Sequence, residues 1–146
     1  MIYSLVMKID LCFYPNPKLR EVARPVKKID SDFKEKVRRM FDIMYESGGI
    51  GLAGVQVGFM QRVVVANLTG LKENSDEEKV FINPEIVWAE GNEEDIEGCL
   101  SLPGIYVKIS RRAKVKVRAL DLEEKEQIIE AEGLYARMFQ HEIDHL

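Results

Sequence analysis

The sequence predicts an α+β fold, with antiparallel sheets packed around a C-terminal HExxH-bearing helix and one amphipathic helix toward the N-terminus. Three observations predict it. Apolar residues recur at helical spacing from about Ser31, short β-branched segments fill the middle, and helical spacing returns from Leu134. With 146 residues, the chain reads as one catalytic domain, 1–146, long enough to bury about 70% of its unfolded surface without disulfide staples.

Taken in order, Tyr14-Pro15-Asn16-Pro17 predicts an irregular, turn-rich start, because each proline restricts itself and the residue before it. A helix follows over Ser31–Ser47. Phe33, Val37, Met40, Phe41, Met44 and Tyr45 share one face, Asp30 or Ser31 caps the start, and Gly48-Gly49 ends it. Strands are predicted at Arg62–Ala66, Val80–Ile82, Glu85–Trp88, Val107–Ile109, Lys114–Arg118 and Gln127–Glu130. In Lys114–Arg118, lysine or arginine alternates with valine, so one face should be wet and the other packed. Thr69–Lys79 reads as a charged loop, and Leu134–Leu146 as a helix.

Composition narrows the function. Hydrophobic residues make up 46% and charged residues 32%, which fits a soluble domain rather than a disordered chain. A net charge of −4 argues against a specific nucleic-acid binder. No run approaches the roughly 20 apolar residues of a membrane helix, so no membrane partner is expected. Met1–Asp10 lacks the basic start and cleavage site of a secretory leader. The two cysteines, Cys12 and Cys99, are expected to be reduced thiols in the cytoplasm.

The sharpest chemical signal is His141-Glu142-Ile143-Asp144-His145. Four residues make just over one helical turn, so both imidazoles leave one face and can bind one ion. An ion held there lowers the pKa of its water to about 7, and the adjacent Glu142 can take and return a proton. These are the chain's only two histidines. The competing reading is a surface histidine pair.

Catalytic metal sites usually use three protein ligands. Only Leu146 follows the motif, so a third ligand must come from upstream and be a cysteine or a carboxylate. Cys99 is the better cysteine, since Gly98 permits close backbone approach and Pro103 stiffens the exit. Cys12, in Leu11-Cys12-Phe13, is expected to be a buried core thiol. One thiolate with two imidazoles suits zinc, ferrous iron, cobalt or nickel, and not magnesium or calcium.

Gly49-Ile50-Gly51-Leu52-Ala53-Gly54 fits GxGxxG, but it follows a helix and leads toward a strand. A dinucleotide fingerprint needs the reverse order. A flexible linker is the plain alternative.

Three segments together resemble peptide deformylases: Gly49 to Gln56, Glu97-Gly98-Cys99-Leu100-Ser101, and Gln140 to Leu146. They are similar to that family's glycine-rich, EGCLS and HExxH motifs, in the same order, and the resemblance runs from about residue 12 to the end. It implies removal of the formyl group from the N-terminal formylmethionine of newly made proteins, with the ribosome as the place of encounter, in a bacterial or organellar compartment. Cys99, His141 and His145 would hold one divalent ion, ferrous iron in cells, with zinc, nickel or cobalt as replacements.

By the same resemblance, Glu142 would be the general acid and base. The Gln56 amide and the Leu100 backbone N–H would stabilise the oxyanion. Gly49, Gly51 and Gly98 would line the peptide cleft, and Ile50, Leu134 and Met138 would wall the methionine pocket. Glu97 and Arg111 would form a supporting ion pair.

Two departures carry expectations. Gly54-Val55 stands where the family usually has alanine- or proline-like residues, which predicts a looser loop before Gln56. The second histidine is the penultimate residue, in a turn of the kind that frays, which predicts stability drawn partly from metal binding or oligomerisation. Two rival functions remain. One is another HExxH metallo-amidase or peptidase. The other is an inactive relative that binds peptide N-termini, against which the set of Gln56, Cys99 and Glu142 argues.

Overall fold

The computed structural model describes residues 9–146, so nearly all of the Met1–Asp10 stretch weighed as a leader lies outside the described residues. Helix α1 spans Ser31–Glu46. Strands β1 (Gly51–Ala53), β2 (Val63–Ala66) and β3 (Lys79–Glu90) follow. Next come β4 (Glu93–Cys99), β5 (Leu102–Arg111), β6 (Lys114–Leu120) and β7 (Glu126–Glu132), and α2 (Gly133–Asp144) closes the order. Among the described residues one antiparallel sheet has the order β1-β2-β3-β6-β7, while β4 and β5 pair only with each other.

Helix α1 starts where Asp30 accepts the Phe33 N–H at 2.9 Å. It stops where Gly48 turns to a φ of +73°, which lets the Gly49 N–H reach the Met44 carbonyl at 2.9 Å. Asp30→Ala should cost about 1 kcal/mol of stability, measurable as a lower urea midpoint with unchanged slope.

Strand β2 explains why the two helices lie on opposite sides of the sheet. Its four residues are all buried. Val63 and Val65 join Val37, Met40 and Met44 of α1 in one core cluster, whereas Val64 and Ala66 join Ala136 and Phe139 of α2 in the other. The Phe81 and Phe139 rings meet at 4.7 Å, joining β3 to α2. In β6, Val115, Val117 and Ala119 are buried, and Lys114 and Arg118 are exposed, as the alternation requires.

Several boundaries differ from expectation. Val80–Ile82 and Glu85–Trp88 belong to one strand, because Asn83 (φ 51°) and Pro84 make a register shift rather than a break. Strand β4 escapes a pattern reading because Glu-Glu-Asp-Ile-Glu-Gly-Cys has no apolar alternation, and most of it is exposed. The glycine-rich stretch is not a linker. Gly51–Ala53 pairs with β2, and a Cβ on Gly54 would lie 2.6 Å from the Phe59 carbonyl oxygen, so the turn before Gln56 is enclosed rather than loose. Cys12 is only half-buried rather than core, and both cysteines are free thiols.

The charged loop contains a short 3-10 stretch, Lys72–Glu77, and is tied down at both ends. The Asn67 amide reaches the Tyr45 hydroxyl at 3.0 Å and the Asn74 carbonyl at 3.1 Å. Glu78 accepts two bonds from Arg38 and one from Tyr45 at 2.6 Å. Burial alone would raise the Glu78 pKa, but these hydrogen bonds outweigh it and hold it below the usual carboxylate range. A depressed folded-state pKa stabilises above the unfolded value and loses that effect as pH falls. Glu78→Gln should therefore melt at a lower temperature than the parent at pH 7, with the gap closing in acid.

The last turn of α2 is held despite its position. Leu146 is buried, and its carbonyl accepts the Ala23 N–H at 3.1 Å. Among the described residues no helix is long and apolar enough to cross a membrane.

Candidate active site

Helix α2 divides its residues by face. Ala136 and Phe139 are fully buried in the core. Leu134, Arg137, Met138, His141 and Glu142 instead line a cleft of about 640 Å3 between β1 and the β4–β5 hairpin. Steps of three and four put them on one stripe.

Cys99, at the end of β4, meets the two histidines there. Its sulfur lies 3.6 Å from His145 Nε2, which lies 3.3 Å from His141 Nε2. All three donor atoms fall within 4.8 Å of one another. Metal bonds of about 2.0–2.3 Å at tetrahedral angles separate ligand atoms by roughly 3.3–3.6 Å. The donor set and its spacing therefore fit a divalent ion of the zinc or ferrous type.

The protonation state of His145 agrees with that fit. Burial, aided by neighbouring His141, pushes the His145 pKa down to about 4, so its ring is neutral at pH 7. Burial pushes the Cys99 thiol up, against hydrogen bonds from the Ser101 and Leu102 backbone. A thiolate there calls for a cation beside it.

Glu142 sits next to this triad and is buried. Burial first, and the Glu97 charge second, push its pKa up to about 8. Among the described residues its Oε1 has no hydrogen-bond partner. A buried, unpartnered carboxylate oxygen is costly unless a ligand completes it. Gly51 makes room for this side chain, since a Cβ there would meet Glu142 Oε2 at 2.9 Å and Met138 Cγ at 3.0 Å.

Gln56 is oriented by its own turn. Its Oε1 accepts the Ala53 N–H at 2.9 Å, which fixes the amide the other way round. Its Nε2 then lies 3.6 Å from the Cys99 sulfur and 3.4 Å from Ser101 Oγ. Leu100 follows the sulfur, and its side chain lies where a Cβ on Gly49 would stand, 2.6 Å away. Gly98 lies beneath the Tyr106 ring, 2.8 Å from the position of an added Cβ. Ile50 and Met138 line the cleft, and Leu134 is exposed at its edge.

Glu97 supports the group. It accepts Arg111 Nε at 3.0 Å and Nη2 at 2.9 Å, and faces His141 Nδ1 at 3.0 Å. Burial alone would raise its pKa, but these bonds and one from Arg137 bring it to about 2. Arg137 and Ser101, both buried, were not singled out from sequence. The readable signal for Arg137 was a lone arginine one turn before His141, among the apolar residues Leu134–Phe139. Ser101, inside a motif already quoted, gave no separate signal.

A family model described as polypeptide deformylase matches residues 9–146. A peptide deformylase of Chromobacterium violaceum is 46% identical over 94% of this chain and 81% of its own length. One of Alkalilimnicola ehrlichii is 48% identical over 94% and 76%. The crystal structure of a peptide deformylase from Legionella pneumophila superposes with a TM-score of 0.88 at 43% identity, covering 93% of this chain and 79% of that one.

Proposed function

The chain belongs to the polypeptide deformylase family, and from that premise we propose that Cys99, His141 and His145 hold its metal, with Glu142 as proton carrier. It is an enzyme that hydrolyses the N-formyl group from formylmethionine at the N-terminus of newly made proteins and releases formate. The family is one of metalloenzymes. The single observation that carries the site reading is the convergence of one thiol and two imidazoles within 4.8 Å, beside a buried carboxylate with a free oxygen.

A divalent ion bound there supplies Lewis acidity and an activated water at neutral pH. This chain's residues do the rest. The cleft between β1 and the hairpin takes the peptide in extended form, where the exposed Gly98 of β4 offers backbone for strand-like pairing and the buried Gly51 leaves room for Glu142. Ile50, Leu134 and Met138 receive the methionine side chain. As the formyl carbon becomes tetrahedral, the Gln56 amide and the Leu100 N–H steady the oxygen that gains charge. With a cation beside it to favour its ionised form, Glu142 takes the proton of the attacking water and returns it to the departing amine. Atoms balance: water is consumed, the C–N bond breaks, and formate and a free N-terminus leave.

The thiolate and imidazole set suits ferrous iron in cells, with zinc, nickel or cobalt as replacements. The substrates are nascent chains, met near the ribosome in the cytoplasm or in an organelle. The experiment is a formate-release assay under low oxygen on formyl-Met peptides and their unformylated counterparts. Release from formylated peptides alone is expected. Cleavage of internal peptide bonds would favour a general metallopeptidase, and binding without release an inactive relative. Gln56→Leu should lower kcat about 100-fold with little change in KM, because an oxyanion donor acts in the transition state.

A further inference from the structure

Arg137 has no part in the chemistry above, yet it is among the most constrained side chains near it, with 9% exposure. It sits four residues before His141 on the same face of α2. Its Nη1 donates to Glu97 Oε2 at 2.6 Å and to the Ile109 carbonyl at 3.0 Å, while Nη2 donates to the Glu93 carbonyl at 2.6 Å. One guanidinium therefore ties α2 to both strands of the β4–β5 hairpin and to the carboxylate between them.

That carboxylate is fully subscribed. Glu97 Oε2 accepts from Arg137 and Arg111, and Oε1 accepts from Arg111 and faces His141 Nδ1 at 3.0 Å. A carboxylate only accepts, so His141 presents Nδ1–H to it, which in the neutral ring leaves the lone pair on Nε2. Nε2 is the atom 3.3 Å from His145 Nε2. Arg111 alone does not fix the carboxylate so firmly, because it is shared with Asp144, whose side chain is 67% exposed. Arg137 is anchored to backbone instead.

We propose that Arg137 is a positioning residue for the metal centre, locking Glu97 in the orientation that holds His141 as its Nδ1–H tautomer. The proposal rests on the reading of Cys99, His141 and His145 as ligands. Partners of this kind around a ligating histidine are worth about 10- to 100-fold in metal affinity.

The test is zinc affinity by competition with a chromophoric chelator. It is run on the parent, R137M, R137K, E97Q, the R137M/E97Q double variant and H145A, with folding checked by circular dichroism. R137M should bind zinc about 10- to 100-fold more weakly than the parent. R137K should also bind more weakly, because an ammonium cannot reproduce the planar fork, and it carries the test should R137M fail to fold. The double variant should bind no worse than E97Q alone, since both changes break the same relay. In the metal-free parent, nitrogen NMR should show His141 protonated at Nδ1, with that preference weakened in R137K. Folded R137M or R137K with parental zinc affinity, or effects of R137M and E97Q that multiply, would overturn the proposal. Should H145A also keep parental affinity, the ligand reading itself falls, an outcome distinct from failure at Arg137 alone.

Discussion

Glu142→Gln is expected to lower formate release about 1,000-fold or more while the protein keeps its full complement of metal. A positioned acid–base group contributes typically 10²- to 10⁴-fold, and here Glu97, the other carboxylate beside the candidate ligands, cannot substitute. Glu97 has every lone pair committed to arginine or histidine, whereas Glu142 keeps one buried oxygen without a partner. Glutamine preserves the volume beside Gly51 and removes only the capacity to take a proton. Formate assays and metal analysis on the same preparation check both halves. Loss of metal, or activity within tenfold of the parent, would show that Glu142 is a structural or ligating group.

Cys99→Ala is expected to release the metal and abolish activity together. In the proposed ligand set the thiol is one of three donors and the only soft one, and removing it leaves two imidazoles from one helical turn, a pair too weak to keep an ion through dialysis. Burial holds the Cys99 thiol protonated in the metal-free protein, so binding must displace a proton. Metal uptake should accordingly weaken as pH falls. The readouts are metal content after dialysis and proton release on titration with zinc. Full metal content in Cys99→Ala would remove the foundation of the site.

The sequence was most legible where one physical rule dominated. In α1, apolar spacing, the Asp30 cap and the Gly48-Gly49 stop all agree, and the helix spans Ser31–Glu46. The clustering of Cys99 with both histidines could be argued from ligand chemistry, because the histidine inventory left so few candidates. Strand β4 was illegible because its acidic run packs through a single buried carboxylate, Glu97, rather than through alternating apolar residues. β3 was split because Asn83-Pro84 reads as a terminator, although the strand absorbs it as a shift in pairing. Arg137 was missed because its function depends on the hairpin carbonyls of Glu93 and Ile109, which are distant in sequence and carry no side-chain signal.

Position 51 has one further consequence. The hydrogen at its α-carbon faces the carboxylate of Glu142, and a methyl group in its place would stand 2.9 Å from Oε2. An alanine here would oblige the Glu142 carboxylate and the Met138 side chain to shift, displacing the carboxylate without altering any reactive group.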